Sequence, residues 1–328
     1  MPASTEERRL ADGLATLDRL AAERGVHLDR DLPIAPMTTL RVGGPADRMV
    51  TPTTLDGLLV ALRLARDAGV RAGVLGKGSD VVVADAGIRG LVIRNRADGI
   101  DIDGTAVRVA SGAAMAALVK RCTAAGLAGI EFGISIPGSV GGAVWANAGA
   151  HGGEMRDVVA GVDTWQPDRA KRTTLTNEAC AFAYRDSRFK ASGEIVLGAD
   201  LRLREGIPAE IAARVAEHQA HRRATQPLAD QNAGSVFRNP PGDHAGRLVD
   251  AAGLKGHRIG SAEVSTLHAN FIVVDRGGHA VDVRAVGDHV RAAVAERFGV
   301  ELMYEIEFVG DWGPAGSWAT PTTELAGP

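Results

Sequence analysis

One uncharged stretch, Phe132–Ala150, constrains the fold more than any other part of this sequence. It contains Pro137, Asn147 and five glycines, at positions 133, 138, 141, 142 and 149. This content breaks a helix, which in lipid would have to satisfy all of its own backbone hydrogen bonds. The stretch therefore predicts a buried loop that closely approaches a ligand or another backbone, and not a membrane span.

Composition narrows the class of protein. The chain has 328 residues with 37 Lys+Arg against 40 Asp+Glu, a formal net charge of −3. This balance lacks the basic excess of nucleic-acid binders, so no nucleic-acid partner is expected. Cys122 and Cys180 are too few for a disulfide framework and have no zinc-ligand spacing. No secretory signal pattern precedes the first apolar run, so a cytoplasmic protein without a membrane partner is predicted.

The order of predicted elements indicates an α+β fold. Leucines at helical spacing predict a helix near residues 4–24 and a second one ending near Gly69. Helices are also predicted at about 113–125, 208–224, 246–252 and 286–298. Strands are predicted at 72–75, 81–84, 91–94, 106–110, 158–165, 194–204, 270–275 and 301–309, and one more strand is predicted to follow the turn at 276–278 and to end at Val283. A polar loop at 226–242 places a domain boundary near residue 206. Residues 311–328, rich in Gly, Pro, Ala and Thr, are expected to be a disordered tail.

A first glycine motif, GKGSD at 76–80, lies between two predicted strands. Gly76 and Gly78 can adopt positive φ and turn backbone N–H groups toward an anion. The motif is neither a P-loop nor a dinucleotide-binding fingerprint, because the glycines that those patterns require are missing. Taken alone, it is more simply explained as a hairpin turn.

The second motif, IPGSVGGA at 136–143 followed by NAGAHG at 147–152, is more specific, since ordering so many glycines is entropically costly. Two such loops suggest a pyrophosphate lying across them.

The histidines near Glu217 form no metal-ligand pattern, so no metal site is predicted.

Eight segments occur in the order seen in UDP-N-acetylenolpyruvoylglucosamine reductases, the MurB family of peptidoglycan synthesis, which the chain resembles over residues 31–310. They are TTLRVGG (38–44), GKGSD (76–80), IPGSVGGAVWANAGAHG (136–152), YRDSRF (184–189), NAGSVFRNP (232–240), AGLKG (252–256), HANFIVV (268–274) and YEIEFVG (304–310). The resemblance implies a two-lobed FAD-binding domain of the vanillyl-alcohol-oxidase (PCMH) type, followed by a C-terminal α+β substrate domain. The corresponding boundaries are an N-terminal helix at 1–30, the FAD domain at 31–205 with lobes at 31–85 and 86–205, and the substrate domain at 206–310.

By resemblance, the catalytic residues are Arg185, Ser235 and Glu305, and the expected reaction is NADPH-dependent reduction of an enolpyruvyl ether through non-covalently bound FAD. Without its matching flanks, Ser235 would be interpreted as an ordinary turn residue. Glu305 would be one more solvated carboxylate on a strand, sharing a face with Glu301, Met303 and Glu307.

Further positions are assigned to ligands. The cofactor-binding residues are expected to be Gly76, Lys77, Gly78, Ser79, Asp80, Pro137, Gly138, Ser139, Gly141, Gly142 and Asn147. The candidates for binding the UDP-sugar are Tyr184, Arg222, Asn239 and His268. A monomer is expected.

The chain departs from the family pattern at three points. Asp80 stands where asparagine is common, Arg238 stands where lysine is common, and the tyrosine-bearing insertion of one family class has no room between Lys190 and Ile195. Two alternatives to the family reaction stay open: a flavin oxidase or dehydrogenase of the same fold that acts on another small substrate, and a non-catalytic protein that binds flavin or a nucleotide sugar.

Overall fold

The computed structural model describes residues 5–313; residues 314–328 of the predicted tail lie outside this range. The eight α-helices in the described range are α1 (Thr5–Glu23), α2 (Leu55–Asp67), α3 (Met115–Ala124), α4 (Val140–Trp145), α5 (Arg188–Ser192), α6 (Pro208–Thr225), α7 (Ala245–Ala251) and α8 (Ala280–Phe298). None of them is long and apolar enough to cross a membrane. The predicted helices are thus present, with ends displaced by a few residues except in α8.

The strands are short. They are β1 (Asp29–Pro33), β2 (Pro45–Val50), β3 (Ala72–Leu75), β4 (Val81–Val83), β5 (Ile88–Arg94), β6 (Ile100–Asp103), β7 (Ala106–Ala110), β8 (Leu127–Ala128), β9 (Gly149–Ala150), β10 (Gly153–Glu154), β11 (Val159–Gln166), β12 (Lys171–Thr176), β13 (Ile195–Arg202), β14 (Arg204–Glu205), β15 (Gln231–Asn232), β16 (Arg258–Ile259), β17 (Ala262–Val264), β18 (Ile272–Val274) and β19 (Glu307–Val309).

The chain divides into two compact units that alternate along the sequence. The first contains the residues up to 32 together with 46–76 and 89–219, and the second contains 33–45, 77–88 and the residues from 220 onward. The domain boundaries expected from the sequence are contiguous and stay a prediction.

The first unit is built around two sheets. The sheet β1-β2-β5-β3 carries α1 and α2, and buried residues of the helices and the sheet, such as Leu58, Leu91 and Ile93, belong to one hydrophobic core. The sheet β12-β11-β13-β7-β6 is antiparallel throughout, and its core continues into α3 and α4. Small strand pairs, β10-β9 and β14-β8, complete this unit.

The second unit is an α+β arrangement of its own. The sheet β15-β18-β17-β16 packs against α7 and α8, and β4 pairs in parallel with β19. Valines of α8, including Val283, Val286 and Val290, are buried in this core. The α+β expectation therefore holds for each unit.

The start of α8 differs from the sequence prediction. A strand was expected up to Val283, but residues from Ala280 are helical. The Asp85 carboxylate accepts hydrogen bonds from the backbone N–H groups of Ala280 (2.9 Å) and Val281 (3.0 Å). A carboxylate supplied from a distant loop thus caps the helix, a contribution that local periodicity cannot reveal.

Candidate active site

The first glycine loop is not a hairpin. β3 pairs with β5 and β4 pairs with β19, so the strands on either side of the loop belong to different sheets, and the hairpin interpretation is wrong. Within the second unit, Gly78 has φ +64° and its carbonyl accepts a hydrogen bond from Thr39 N at 2.9 Å. A Cβ at Gly78 would lie 2.5 Å from Met37 O, so only glycine fits there. Lys77, Ser79 and Asp80 also belong to this unit.

The second glycine loop is held by backbone bonds to the loop after β7. Val140 N donates to Ala113 O and Gly141 N donates to Ser111 O, both at 2.8 Å. Ser139 caps the short helix α4, and a Cβ on Gly76 would lie 2.2 Å from the Ser139 hydroxyl oxygen. The space beside Gly76 is therefore restricted by a side chain of the protein, and Gly76, unlike Gly78, does not adopt a positive φ.

Asn147 is completely buried and organises the segment that carries Arg185. Its side-chain Nδ2 donates to Glu154 Oε2 (2.9 Å) and to Ala183 O (2.8 Å), and its Oδ1 accepts from Arg156 N (2.9 Å). Both amide protons are thus used within the protein. Asn147 is assigned to the cofactor by resemblance alone; the contacts show it as a support for the Arg185 turn.

Arg185 lies in a tight turn in the first unit, where Ala183 and Asp186 form an isolated bridge. Its φ is +54°, a conformation that non-glycine residues rarely adopt and that is often found at functional sites. The guanidinium donates to Gly149 O at 2.8 Å and lies 5.1 Å from the centre of the Tyr184 ring. Tyr184 itself is 48% exposed, so this predicted substrate contact is accessible.

Ser235 and Glu305 lie on neighbouring segments of the second unit. Glu305 N donates to Val236 O at 2.8 Å, and Phe237 and Tyr304 form an isolated bridge with stacked rings 5.1 Å apart. The structure therefore places these two predicted catalytic residues on adjacent backbone. Arg185 belongs to the other unit.

Asn270 is the residue that sequence reasoning missed. It is 4% exposed; its Oδ1 accepts from Phe237 N at 3.0 Å, its Nδ2 donates to Phe237 O at 2.8 Å, and its carbonyl accepts from Val236 N at 2.8 Å. The only feature of the sequence that indicated Asn270 was its place in the HANFIVV segment, two residues after the substrate candidate His268. These three bonds determine the backbone path directly after Ser235.

The environment of Glu305 corrects one expectation. A regular strand was predicted over 301–309, but β19 covers only Glu307–Val309. Ile306 N also approaches Val236 O, at 3.5 Å, so two residues face one on the partner segment, as in a bulge. Glu305 therefore lies at a bend, and the simple alternation of faces does not apply to it.

The other substrate candidates all lie in the second unit. The Arg222 guanidinium donates to Gln226 Oε1 at 3.0 Å, and burial lowers its pKa. Asn239 Oδ1 accepts from Ala245 N at 3.0 Å, at the start of α7. His268 Nδ1 accepts from Asn270 N at 3.2 Å, and burial lowers the pKa of its imidazole, which favours the neutral ring.

Comparison with known proteins defines the class first. A family model described as an FAD binding domain matches residues 46–170, and a model described as the C-terminal domain of UDP-N-acetylenolpyruvoylglucosamine reductase matches residues 226–309. With the glycine loops in the first region and Ser235 in the second, the chain is an FAD-dependent oxidoreductase.

The relatives specify the family. The chain is 45% identical over 293 residues to UDP-N-acetylenolpyruvoylglucosamine reductase of Anaeromyxobacter dehalogenans (strain 2CP-C), covering 89% of this chain and 88% of the relative. It is 39% identical to the Bacillus subtilis (strain 168) reductase, covering 85% and 92%. The crystal structure of the Thermus caldophilus reductase matches with a TM-score of 0.73 at 35% identity, covering 86% of this chain and 98% of that one. The chain belongs to the UDP-N-acetylenolpyruvoylglucosamine reductase family.

The residues of the first unit fit FAD. Gly138 has φ +123°, and a Cβ on Gly142 would meet only the Ser139 hydroxyl, at 3.7 Å, so the backbone there is open to close approach. The Nε atom of Arg94 is buried and has no hydrogen-bond partner among residues 5–313. A partly buried guanidinium with an unpaired Nε suits a cofactor that carries a diphosphate.

Proposed function

We propose that this chain reduces the enolpyruvyl ether of UDP-N-acetylglucosamine enolpyruvate to the lactyl ether of UDP-N-acetylmuramate, using NADPH, as a cytoplasmic monomer. The observation that carries the proposal is the adjacency of Ser235 and Glu305, held by Asn270 and Val236 in a chain of this family. Segments 76–80 and 137–147 would hold the FAD. When bound there, FAD would supply the hydride-transfer chemistry between NADPH and the substrate β-carbon.

Arg185 is assigned to the substrate carboxylate. Hydride addition at the β-carbon leaves an enolate next to that carboxylate, so negative charge develops where a guanidinium can pair with it. The positive φ of Arg185 and the Asn147 contacts hold the turn before substrate arrives, which lowers the cost of positioning the charge.

Ser235 is assigned as the proton donor to the α-carbon, and Glu305 as the group that stabilises the enolate. A carboxyl can do this as the neutral acid, or with a cation close to it. A serine hydroxyl is a weak acid, so its placement relative to the α-carbon matters more than its acidity. The hydrogen bonds between Asn270 and the two residues after Ser235, Val236 and Phe237, supply that placement.

Ser235→Ala tests this assignment. NADPH should still reduce the flavin at nearly the normal rate, because that step needs no proton from Ser235. Reoxidation by UDP-N-acetylglucosamine enolpyruvate should slow at least about a hundredfold, as expected for a lost general acid. The two half-reactions can be followed separately by stopped-flow absorbance of the flavin.

Controls define the outcome. Ser235→Cys should recover part of the rate, since a thiol is a stronger acid of similar shape. Thr53→Ala, which removes an exposed hydroxyl, should leave both half-reactions unchanged. Wild-type reoxidation in Ser235→Ala would exclude the proton-donor role. Rapid reaction of the reduced flavin with oxygen, without turnover of the enolpyruvyl sugar, would favour an oxidase, and ligand binding without any turnover would favour a non-catalytic binding protein.

A further inference from the structure

Arg94 is the last residue of β5, and its side chain points away from the helices that cover the sheet. Leu91 and Ile93 pack into the core formed with α1 and α2. Since side chains alternate along a strand, Val92 and Arg94 face the opposite side. The Nε of Arg94 is nevertheless buried, so the guanidinium is partly removed from water on that side.

This guanidinium has no counterion within the part of the chain that the structure describes. The Arg94 side chain makes no hydrogen bond or ion pair there, and burial together with the nearby Arg96 lowers its pKa. Burying a cation without a partner is unfavourable, so native proteins normally pair such groups. Arg89 on the same strand is paired, with Asp47 at 2.7 Å.

The position of Arg94 in the first unit connects it to Gly76 and to the second glycine segment. Leu75, its register partner in β3, directly precedes Gly76, and the next residue, Asn95, donates its N–H to Leu75 O at 2.9 Å. The Asn95 side chain donates to Ser111 Oγ at 2.8 Å, and Ser111 O accepts from Gly141 N. The end of β5 is thus hydrogen-bonded to the residue before one glycine segment and, through Ser111, to the other.

We propose that Arg94 binds the diphosphate of FAD and supplies the principal side-chain positive charge for it in the first unit. Guanidinium groups recognise phosphate oxygens with two parallel donors, and the diphosphate is the anionic part of FAD. The inference rests on FAD binding by this family and is independent of which substrate is reduced.

The test compares holoenzyme variants by flavin retention. The dissociation constant of FAD is obtained by diluting each holoenzyme and measuring released flavin after ultrafiltration. Arg94→Gln should raise this constant at least about tenfold, as expected for a lost hydrogen bond between charged groups. Arg94→Lys, which keeps the charge, should recover part of the affinity. Arg108→Gln is the matched control, because Arg108 of β7 is 76% exposed and pairs with Asp200 of β13. This substitution should change the dissociation constant of FAD less than twofold.

Two competitors separate the diphosphate from the rest of the cofactor. ADP carries the diphosphate without the isoalloxazine ring, and riboflavin carries the ring without phosphate. In Arg94→Gln, the dissociation constant of ADP, obtained from its competition with FAD, should rise by the same factor as the dissociation constant of FAD. The dissociation constant of riboflavin should equal that of the wild type. An FAD constant within twofold of the wild type, or equal weakening of ADP and riboflavin, would overturn the proposal. If Arg94→Gln does not fold, Arg94→Met, which keeps an apolar stem, is judged by the same criteria. Because no substrate is turned over, failure here is distinct from failure of the proposed reaction.

Discussion

The segments carrying Arg185 and Ser235 are positioned by the same device in two different units. Each is irregular backbone held by a buried asparagine, Asn147 in one case and Asn270 in the other, which uses its side-chain oxygen and nitrogen for bonds within the protein. Loops cannot satisfy their own backbone groups as helices do, so a buried amide that both donates and accepts is an effective substitute.

The two segments differ in strain and charge. Arg185 adopts a positive φ, and its supporting residue Asn147 donates to the Glu154 carboxylate. Elsewhere in the first unit, the Glu131 carboxylate pairs with Arg214 at 2.8 Å. The Ser235 segment is held by Asn270 through neutral groups only. We therefore expect charged groups to contribute to the stability of the first unit and neutral hydrogen bonds to hold the Ser235 segment, and the following predictions test both.

The largest effect is expected for Arg185→Gln. Loss of one electrostatic donor to developing charge typically costs about a hundredfold to a thousandfold in rate, so reoxidation of the flavin by substrate should slow by that factor. Reduction of the flavin by NADPH should be nearly unchanged, as measured by stopped-flow. Arg188→Gln is less suitable as a control, because Arg188 pairs with the buried Glu194. The control is therefore Arg172→Gln, at a half-exposed arginine of β12 that pairs with Asp163. Equal slowing of both half-reactions would show that the turn, and not the charge, was lost.

Asn270→Ala should lower the free energy of unfolding by about 2–4 kcal/mol, because the backbone N–H and C=O of Phe237 would lose their partners in a buried position. Asn270→Asp keeps the acceptor for Phe237 N, but its ionised carboxylate has no donor for Phe237 O. The neutral carboxyl has an O–H that can donate there, so the loss should be smaller at a pH where the carboxyl is neutral. Urea unfolding measures both variants. A loss for Asn270→Ala equal to that of an exposed asparagine would refute the supporting role.

The smallest effect is expected for Glu131→Gln. Burial raises the pKa of Glu131, but its bonds with Arg214 and with backbone N–H groups together lower the pKa by more than burial raises it. The net pKa is therefore below the ordinary value of 4.5. A lowered folded-state pKa contributes stability above the unfolded value and loses it as pH falls through the folded value. Glu131→Gln should thus cost about 1–2 kcal/mol near neutral pH, and the difference from wild type should shrink below pH 4.5.

Thermal unfolding from pH 7 to pH 3 measures this dependence. Glu210→Gln is the matched control, since Glu210 faces the same Arg214 at 4.0 Å but is 62% exposed; its effect should be close to zero at every pH. A constant difference between Glu131→Gln and wild type across this range would contradict a lowered pKa for Glu131.

Much of the fold was accessible from sequence because its signals are local. The leucines of α2 and the short strand Ala72–Leu75 are read from spacing alone, and the motif order identified the family and its FAD. The errors arose where a distant group decides the local structure. Residues 280–283 are helical because Asp85 caps them, and Glu305 lies at a bend because of its register with Val236.

The sequence by itself determined the element types, the glycine segments and the identities of Arg185, Ser235 and Glu305 as candidates, since side-chain periodicity and motif order are properties of neighbouring residues. Only the tertiary structure decided how those residues are held. Asn147 reaches Ala183 across 36 positions, Asn270 reaches Phe237 across 33, and Asp85 reaches Ala280 across 195. The unpaired guanidinium of Arg94 likewise becomes apparent only once the strands are paired. Hydrogen bonds and charge burial depend on which groups meet in space, and local propensity carries no record of that.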